Sequence, residues 1–392
     1  MFFVSQVRSF LLERQESVLK IKQTLEKQSF FNFETPMKYL ISLSSVFILT
    51  SLVMFSSCVY EEGTLQNEPT TAPMTTENPF SGRPIIFYNV ENLFDTKDDP
   101  RTDDDEFTPF GDKEWDENRY REKLARIETV MSYLDKLPAL IGLVEIENRT
   151  VLEDLCNTGK LSSIDYGIAQ FDSPDRRGID CALLYDKAVF QVTESTKYPV
   201  RLEDNPNYLT RDILYVKGVF SGNIETHVFV NHWSSRREGQ QETEHKRIAA
   251  AKVLRKKVEN IQKTNPAANI IILGDFNDHP TDKSLETILR AKESGYESEG
   301  DLINLLYDDH IQGKGTSVHD RKWGVIDQII VSQALYDGTS GIAIENRNAE
   351  ILREDELIFT YPDGGQKPSS SYGGKKYYGG FSDHLPVYII LK

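Results

Sequence analysis

A run of apolar residues ends abruptly in polar ones at residues 270–280, IIILGDFNDHP. Residues 270–273 have the composition of a buried strand, and the chain then presents Asp275, Asn277 and Asp278 together. Carboxylate and amide groups at the end of a buried strand are suited to binding a cation or orienting a water molecule. The alternative is an Asx turn that merely closes the strand.

The same arrangement recurs beside several other apolar runs. The polar residues concerned are Asn89 and Glu91 in FYNVENLFD, Glu145 in IGLVEIEN, Arg176, Arg177 and Asp180 in RRGIDCALLYD, Asn231, His232 and Arg236 in FVNHWSSRR, Asp327 in WGVIDQIIVS, and Asp383 and His384 in GFSDHLPV. Oxygen donors, amides and two imidazoles without a thiolate form a ligand set for Mg²⁺, with Mn²⁺ or Ca²⁺ as alternatives, rather than for a structural zinc.

Regular elements must bring these residues together. Periodicity predicts amphipathic helices over 118–136 and 242–260 and loop for the insertion 362–380, PDGGQKPSSSYGGKKYYGG. Strands are predicted over 84–90, 139–146, 179–186, 212–220, 226–232, 269–275, 325–332 and 385–391. Near-continuous apolar strands mixed with such helices indicate sheets packed face to face, with helices outside.

Composition sets limits on the class of protein. The chain has 392 residues, of which 39% are hydrophobic and 27% charged, as is typical of globular proteins. It carries 45 Lys and Arg against 61 Asp and Glu. This acidic balance argues against a protein that binds nucleic acid by bulk charge, because non-specific binding depends on phosphate neutralisation. It leaves open a local basic groove or a metal that supplies positive charge.

The N-terminal region has the features of an export signal. Residues 37–57 have a positive start, a short apolar stretch and small residues before Cys58, and they resemble a bacterial lipoprotein signal peptide. Cys58 would then be lipidated, anchoring an exported protein at the cell envelope; an ordinary signal anchor is the alternative. Residues 1–36 are an N-terminal extension or a mis-called start, and residues 58–82 form a flexible tether.

Residues 83–392 are predicted to be one catalytic domain and a monomer. Its two cysteines, Cys156 and Cys181, either pair or stay free, with Cys181 in a strand-like run. The acidic stretch 95–118 lacks the spacing of an EF-hand, so a solvated loop is expected, and weak Ca²⁺ binding is the alternative.

The motifs resemble, in type and order, those of the exonuclease–endonuclease–phosphatase superfamily with the DNase I-like fold. They are N-x-E at 89–91, E-x-E-N at 145–148, G-D-F-N-D at 274–278, I-D-Q-I-I-V-S at 326–332 and S-D-H-x-P-V at 382–387. The opening NVENLFD is similar to that of secreted bacterial nuclease-type members. The resemblance implies a four-layer α/β sandwich, in which helices flank two packed mixed β-sheets.

The resemblance also implies roles for individual residues. The metal ligands would be Glu145, Glu91 and Asp383; the catalytic residues would be His232, Asp275, Asn277, Asp327 and His384; and Asn89 would lie beside the metal and contact substrate. Asp275 and Asn277 would orient the attacking water, while His384 would contact a phosphoryl oxygen and be oriented by Asp327.

Three further side chains are candidates for substrate binding. Arg177 and Arg236 could clamp a phosphate, although arginines in such runs more often form a solvated face. Trp323, in GTSVHDRKW, could stack on a base or line a sugar pocket, and packing at the rim of the domain is the alternative.

A phosphodiester resists attack until its oxygens are neutralised, which a cation held by Glu145 would do. No serine or cysteine nucleophile motif stands out, which favours direct attack by water.

The sequence therefore predicts a metal-dependent phosphodiester hydrolase, most simply an extracytoplasmic nuclease with nucleic acid as substrate. A phospholipid or sugar-phosphate phosphoesterase on the same fold is the alternative, although the run P-A-W-x-D-R-I-L of inositol-polyphosphate 5-phosphatases is replaced by WGVIDQIIV. A non-catalytic binding module is disfavoured by the intact acid and histidine set.

Overall fold

A computed structural model describes residues 79–392 of the chain. The signal over 37–57, the lipidated Cys58, residues 1–36 and most of the tether lie outside the described residues, so those predictions stay predictions. Within residues 79–392, no helix is both long enough and apolar enough to cross a membrane.

Two mixed sheets dominate the described part. The first has six strands in the order β14-β19-β1-β2-β4-β3: β1 (Pro84–Leu93), β2 (Leu140–Ile146), β3 (Tyr166–Gln170), β4 (Asp180–Asp186), β14 (Glu350–Ile351) and β19 (Val387–Ile390). The second has seven in the order β5-β6-β7-β8-β13-β10-β9: β5 (Phe190–Tyr198), β6 (Ile213–Phe220), β7 (Ile224–His232), β8 (Asn269–Asp275), β9 (Ala291–Lys292), β10 (Leu302–Asn304) and β13 (Asp327–Ser332).

Helices and small hairpins complete the domain. The α-helices are α1 (Glu117–Ser132), α2 (Arg149–Cys156), α3 (Gln240–Thr264), α4 (Tyr307–Ile311) and α5 (Gln333–Asp337), and Ser284–Leu289 is π-helical. Short 3₁₀ turns lie at Asp105–Phe107, Gly159–Ser163, Glu345–Arg347 and Asp355–Leu357. The hairpins are β11 (Ser317–His319) with β12 (Lys322–Gly324), β15 (Ile358–Thr360) with β16 (Gln366–Pro368), and β17 (Tyr372–Gly373) with β18 (Lys376–Tyr377).

Side-chain alternation along the strands builds three apolar layers. In β1, Ile85 and Phe87 face the second sheet, whereas Ile86 and Tyr88 face α1 and α2. The outer face of the second sheet packs in the same way against α3, with Leu254 at the centre of that contact. The layers therefore run helix, sheet, sheet, helix, and the predicted four-layer α/β sandwich is confirmed.

The predicted elements match the structure closely where they are buried. All eight predicted strands and both predicted helices are present, while five strands of the two main sheets were not predicted: β3, β5, β9, β10 and β14. The insertion 362–380 is more ordered than predicted, because it contains strands β16, β17 and β18. Cys156 and Cys181 are both free thiols, so the two cysteines do not form a disulfide.

Strand direction explains why the polar patches converge. Strands β1 and β2 are parallel, as are β7 and β8, so their carboxyl ends meet at common edges. Strands β4, β13 and β19 run antiparallel to these neighbours, and so their amino ends lie at the same edges. The two edges adjoin, since Asn89 of the first sheet donates a hydrogen bond of 3.0 Å to Asp275 of the second.

Candidate active site

Three neighbouring strand ends in the second sheet place acids and an imidazole side by side. Asp275, the last residue of β8, is paired in register with His232 of β7 on one side and with Asp327 of β13 on the other. All three are buried. His232 Nε2 lies 3.7 Å from Asp275 Oδ2. Sheet register alone therefore fixes the spacing of these three groups.

His384 closes this row from the first sheet. Its Nδ1 lies 3.0 Å and 2.8 Å from the two carboxylate oxygens of Asp327, and its Nε2 lies 3.9 Å from Asp275 Oδ2. Burial alone would lower the pKa of His384, but the charges of Asp327, Asp383 and Asp275 outweigh it and hold that pKa well above its usual value. The structure thus favours a protonated imidazole beside Asp275.

Asp275 is held by donors on both oxygens. Oδ2 accepts from Asn89 Nδ2, and Oδ1 accepts from the backbone amide of Asn277 at 2.9 Å, so the Asx turn weighed from the sequence is formed. The side chain of Asn277 donates to the carbonyl of Trp233 at 3.1 Å. Burial raises the pKa of Asp275 to about 7, against the opposing charge of His384. The GDFND motif therefore forms the Asx turn and also contributes Asp275 to the site.

His232 has the opposite electrostatic character to His384. Burial and the positive charges of Arg211 and Arg177 hold its pKa well below the usual value, so its imidazole is neutral near pH 7. Its Nε2 lies 3.8 Å from Glu145 Oε1 in the first sheet. Its Nδ1 is buried with no hydrogen-bond partner among the described residues. The site thus joins a neutral and a cationic imidazole.

Glu91 and Glu145 leave their strands at bulges. Ladder pairing shifts register between Asn89 and Leu93 in β1 and between Val144 and Ile146 in β2. Both glutamates have left-handed backbone, with φ of 54° for Glu91 and 64° for Glu145. Such backbone is unfavourable for a residue with a Cβ and is concentrated at functional sites. The bulges turn both carboxylates out of the sheet and into the site.

The loop between β16 and β19 supports Glu91. Its carboxylate accepts from the backbone amides of Ser371 at 2.6 Å and Tyr372 at 3.3 Å, beside the β17–β18 hairpin. Asp383 lies on the open side of the site, with its side chain 56% exposed and Oδ1 3.8 Å from His384 Nε2. The predicted insertion thus contributes directly to the site.

The donors at the first-sheet end fit a divalent cation. The side chain of Glu145 is only 14% exposed, and no described residue donates a hydrogen bond to it. Burial and the charge of Asp383 raise the pKa of Glu145, and the same two causes raise that of Glu91 to about 7. A buried carboxylate without a hydrogen-bond donor, such as that of Glu145, gains from a bound cation. Among residues 79–392, the group of three whose ligand atoms all lie within 4.8 Å of one another is instead Asp275, Asp327 and His384, and in it His384 and Asp327 already bind each other.

The predicted substrate-binding residues are placed unequally. Arg177 is 45% exposed and pairs with Asp175 at 3.3 Å, and its charge acts on Glu145 and His232. The guanidinium of Arg236 is bound to Asp282 and Asp278, at 3.0 and 3.4 Å, and to the carbonyl of Asn277. Its charge is offset by these carboxylates, so it braces the GDFND turn, and a direct contact with substrate stays a prediction.

Trp323 lies in the β11–β12 hairpin, which begins beside the site. Ser317, the first residue of that hairpin, bridges to His384, and Trp323 pairs with Val318. The guanidinium of Arg353 lies over the Trp323 ring at 4.3 Å, while the ring packs against the core of the first sheet. The structure thus shows the rim packing, and base stacking stays a prediction.

Two buried cations beside the site were not identified from the sequence. Arg211 donates to Asp175 at 2.9 Å and to the carbonyls of His232 and Trp233, which fixes the end of β7. Lys123, on the buried face of α1, donates to Ser371 Oγ at 2.7 Å. The only sequence signal for Lys123 is a lysine within the apolar stripe of a helix.

The fold and the site define a two-sheet α/β sandwich with acids and imidazoles at one edge. Residues 84–392 match the model of the endonuclease/exonuclease/phosphatase family. The chain belongs to this family, whose members are hydrolases that act on phosphoester bonds. The superfamily recognised from the motifs is therefore confirmed.

Solved structures give the same architecture. A family member from Bacteroides thetaiotaomicron is 17% identical, with a TM-score of 0.50 over 79% of this chain and 97% of that one. A mannosyl-6-phosphatase from Bacteroides thetaiotaomicron VPI-5482 is 15% identical, with a TM-score of 0.50 over 79% and 99%. At these identities the similarity concerns the fold. A search of curated protein sequences found no match.

Proposed function

We propose that this chain is a Mg²⁺-dependent phosphodiester hydrolase, a nuclease that acts outside the cytoplasm by direct attack of water. The observation that carries the proposal is the convergence of two imidazoles of opposite character on one carboxylate, with His232 and His384 Nε2 at 3.7 and 3.9 Å from Asp275 Oδ2. Groups whose pKa values are driven apart in one site are suited to separate acid and base roles.

Each residue has a role that follows from its surroundings. Asp275, with a pKa of about 7, accepts a proton from the attacking water, and Asn277 holds the turn that aims it. His384, kept protonated and oriented by Asp327, donates to a phosphoryl oxygen as negative charge develops there. His232 remains neutral and donates or accepts a hydrogen bond without adding charge.

Glu145, Glu91 and Asp383 would hold the cation, which supplies Lewis-acid neutralisation of the phosphoryl oxygens when it is bound. The choice of Mg²⁺ over Mn²⁺ or Ca²⁺ rests on an all-oxygen donor set, which suits hard cations.

Nucleic acid is favoured as substrate by the hairpins beside His384. The β11–β12 and β15–β16 hairpins pair basic side chains with aromatic rings: Arg353 lies over Trp323 at 4.3 Å, and Arg321, which also pairs with Asp363, lies over Tyr361 at 4.4 Å. Surfaces that bind single-stranded nucleic acid combine stacking rings with cations in this way. A sugar-phosphate or phospholipid phosphoesterase would use the same reacting groups, and only the substrate test separates them.

The experiment is hydrolysis by the purified chain of plasmid DNA, single-stranded RNA, bis-p-nitrophenyl phosphate and mannose 6-phosphate, with Mg²⁺ and with chelator. We expect chelator-sensitive cleavage of a nucleic acid, and a kcat ~10²-fold lower in His384→Ala, as for loss of an acid or oxyanion donor. His245→Ala, on the exposed face of α3, is the matched control and should retain full activity. Hydrolysis of mannose 6-phosphate alone would assign a sugar-phosphate phosphoesterase, and turnover of no substrate would contradict both the nuclease and the sugar-phosphate enzyme.

A further inference from the structure

Lys123 is a fully buried lysine on an otherwise apolar helix face. It is 1% exposed and lies between Tyr120 and Leu124, which pack in the core between α1 and the first sheet. Its ammonium donates to Ser371 Oγ at 2.7 Å and to the carbonyl of Phe381 at 2.8 Å. Both partners are neutral, and no carboxylate of residues 79–392 lies within 4.0 Å of it. Packing alone would be served better by leucine or methionine, because a buried cation loses its hydration.

The position of Lys123 relates it to the site. Ser371 connects the two, since its hydroxyl accepts from Lys123 while its backbone amide donates to Glu91 Oε2 at 2.6 Å. The negative charges that act on the ammonium are those of Glu91, Asp383 and Glu145, in decreasing order. These are the three carboxylates proposed to hold the cation, and Ser371 links the lysine to one of them, Glu91.

The charges at this end are unbalanced without Lys123. Asp327 is offset by His384, which leaves Glu91, Glu145, Asp275 and Asp383. Arg211 and Arg177 both act on Glu145, but both are also paired with Asp175, which offsets part of their charge. Burial lowers the pKa of Lys123, and the charges of Glu91, Asp383 and Glu145 oppose that shift and favour the ammonium form. The ammonium offsets part of the remaining charge whether or not a metal ion is bound.

We propose that Lys123 takes the place of a second metal ion: its ammonium is a built-in counter-cation that limits the acidic end of the site to one divalent cation. The inference rests on the proposed metal dependence. Lys123 contacts neither substrate nor the reacting atoms, so it is a positioning and charge-setting residue. A nearby fixed cation repels a divalent ion appreciably in partly buried surroundings. Its removal should therefore strengthen metal binding, whereas loss of a purely structural contact should weaken it or leave it unchanged.

The test is Mn²⁺ binding to the full chain, measured by calorimetry and by electron paramagnetic resonance. The wild type should bind one Mn²⁺ in the site. Lys123→Gln keeps hydrogen-bonding capacity but removes the charge, and it should bind Mn²⁺ about tenfold tighter or acquire a second ion, on the scale of one nearby unit charge. Lys113→Gln is the matched control, because Lys113 donates to the carbonyl of Gly374 in the same loop. Its Mn²⁺ binding should equal that of the wild type.

Unchanged or weaker binding by a folded Lys123→Gln would overturn the proposal. Lys123→Met, which packs as an apolar residue of similar length, replaces it if Lys123→Gln fails to fold. Two Mn²⁺ ions in the wild-type site would overturn the proposal without any variant, and one ion would support it. Failure of the proposed function looks different, since a wild type that binds no Mn²⁺ and cleaves no phosphoester would remove the metal dependence itself.

Discussion

His384 and Asp327 form a two-point contact, in which Nδ1 of the imidazole faces both carboxylate oxygens at 3.0 and 2.8 Å. Hydrogen-bond geometry therefore assigns a proton to Nδ1 and directs Nε2 toward Asp275. Both residues are buried, so solvent cannot replace the contact. This pair connects the two sheets at the point where the proposed chemistry takes place.

Replacing Asp327 tests this contact without removing the imidazole. We expect Asp327→Asn to lower kcat by ~10²-fold or more, because the ring loses its orientation and its charge support. The pKa of His384 should fall, since Asp327 is the charge that raises it most. The limb of the kcat–pH profile that reports His384 protonation should thus move to lower pH, and the ¹⁵N shifts of His384 should follow. Asp308→Asn, at an exposed position in α4, is the control; an unshifted limb in Asp327→Asn would contradict the assignment.

The backbone at Glu145 gives a second prediction. Both Glu145→Ala and Glu145→Gly should abolish metal-dependent turnover, since each removes the carboxylate. Glycine should be the more stable variant, by about 1 kcal/mol in the free energy of unfolding, because the φ of 64° is costly for alanine and not for glycine. Urea denaturation of the two variants measures the difference. Equal stabilities would show that the left-handed bulge is absent, and retained turnover would refute the ligand role.

Asp180 provides a pH-dependent stability that is independent of turnover. Burial raises its pKa from 3.8 to about 7, despite hydrogen bonds from Ser173 and Gln170. In the unfolded chain this aspartate ionises at a lower pH than in the folded protein. The contribution of the protonated carboxyl to the free energy of unfolding is therefore fully present below about pH 4 and is lost as pH rises through about 7. Asp180→Asn should therefore gain stability relative to the wild type between about pH 5 and about pH 8, on the order of 2 kcal/mol.

Urea unfolding in chelator at both pH values measures that gain. The exposed Asp98→Asn is the matched control and should show no such trend. If the difference in the free energy of unfolding between the wild type and Asp180→Asn does not change with pH, Asp180 is more hydrated than the structure shows.

The export prediction is tested at Cys58, which lies outside the described residues. Cys58→Ser should release the protein from membranes and abolish incorporation of labelled palmitate, because the thiol is the acyl acceptor of a lipoprotein signal. Cys156→Ser is the control and should fractionate like the wild type. Membrane association that survives the loss of Cys58 would remove the lipid anchor from the proposal.

Strands could be predicted from the sequence where they are buried on both faces. Strands such as β8 are apolar on both faces because they lie in the middle of a sheet between two layers. The unpredicted β3 and β5 are edge strands, and Thr193, Glu194 and Ser195 of β5 are polar because they reach solvent. Periodicity cannot distinguish such a strand from a polar loop.

Site residues were predictable where a motif carried them and not where only packing did. Asp327 and His384 come from short motifs at strand ends, and their contact follows from strand direction. The support of Glu91 by the Ser371 and Tyr372 amides depends on the path of a loop rich in glycine and serine. The location of Lys123 depends on which helix face meets that loop, and no local sequence pattern specifies it.

The bulge in β2 supplies the carboxylate of Glu145 without using that residue in strand pairing. Val144 pairs with Cys181 and Ile146 pairs with Asp180, so the ladder between β2 and β4 is complete without the intervening Glu145. Loss of that single codon would leave an ordinary antiparallel pair and remove the carboxylate. Relatives that have abandoned catalysis could therefore differ from this chain by a one-residue deletion rather than by a substitution, and a gap at this position would identify them.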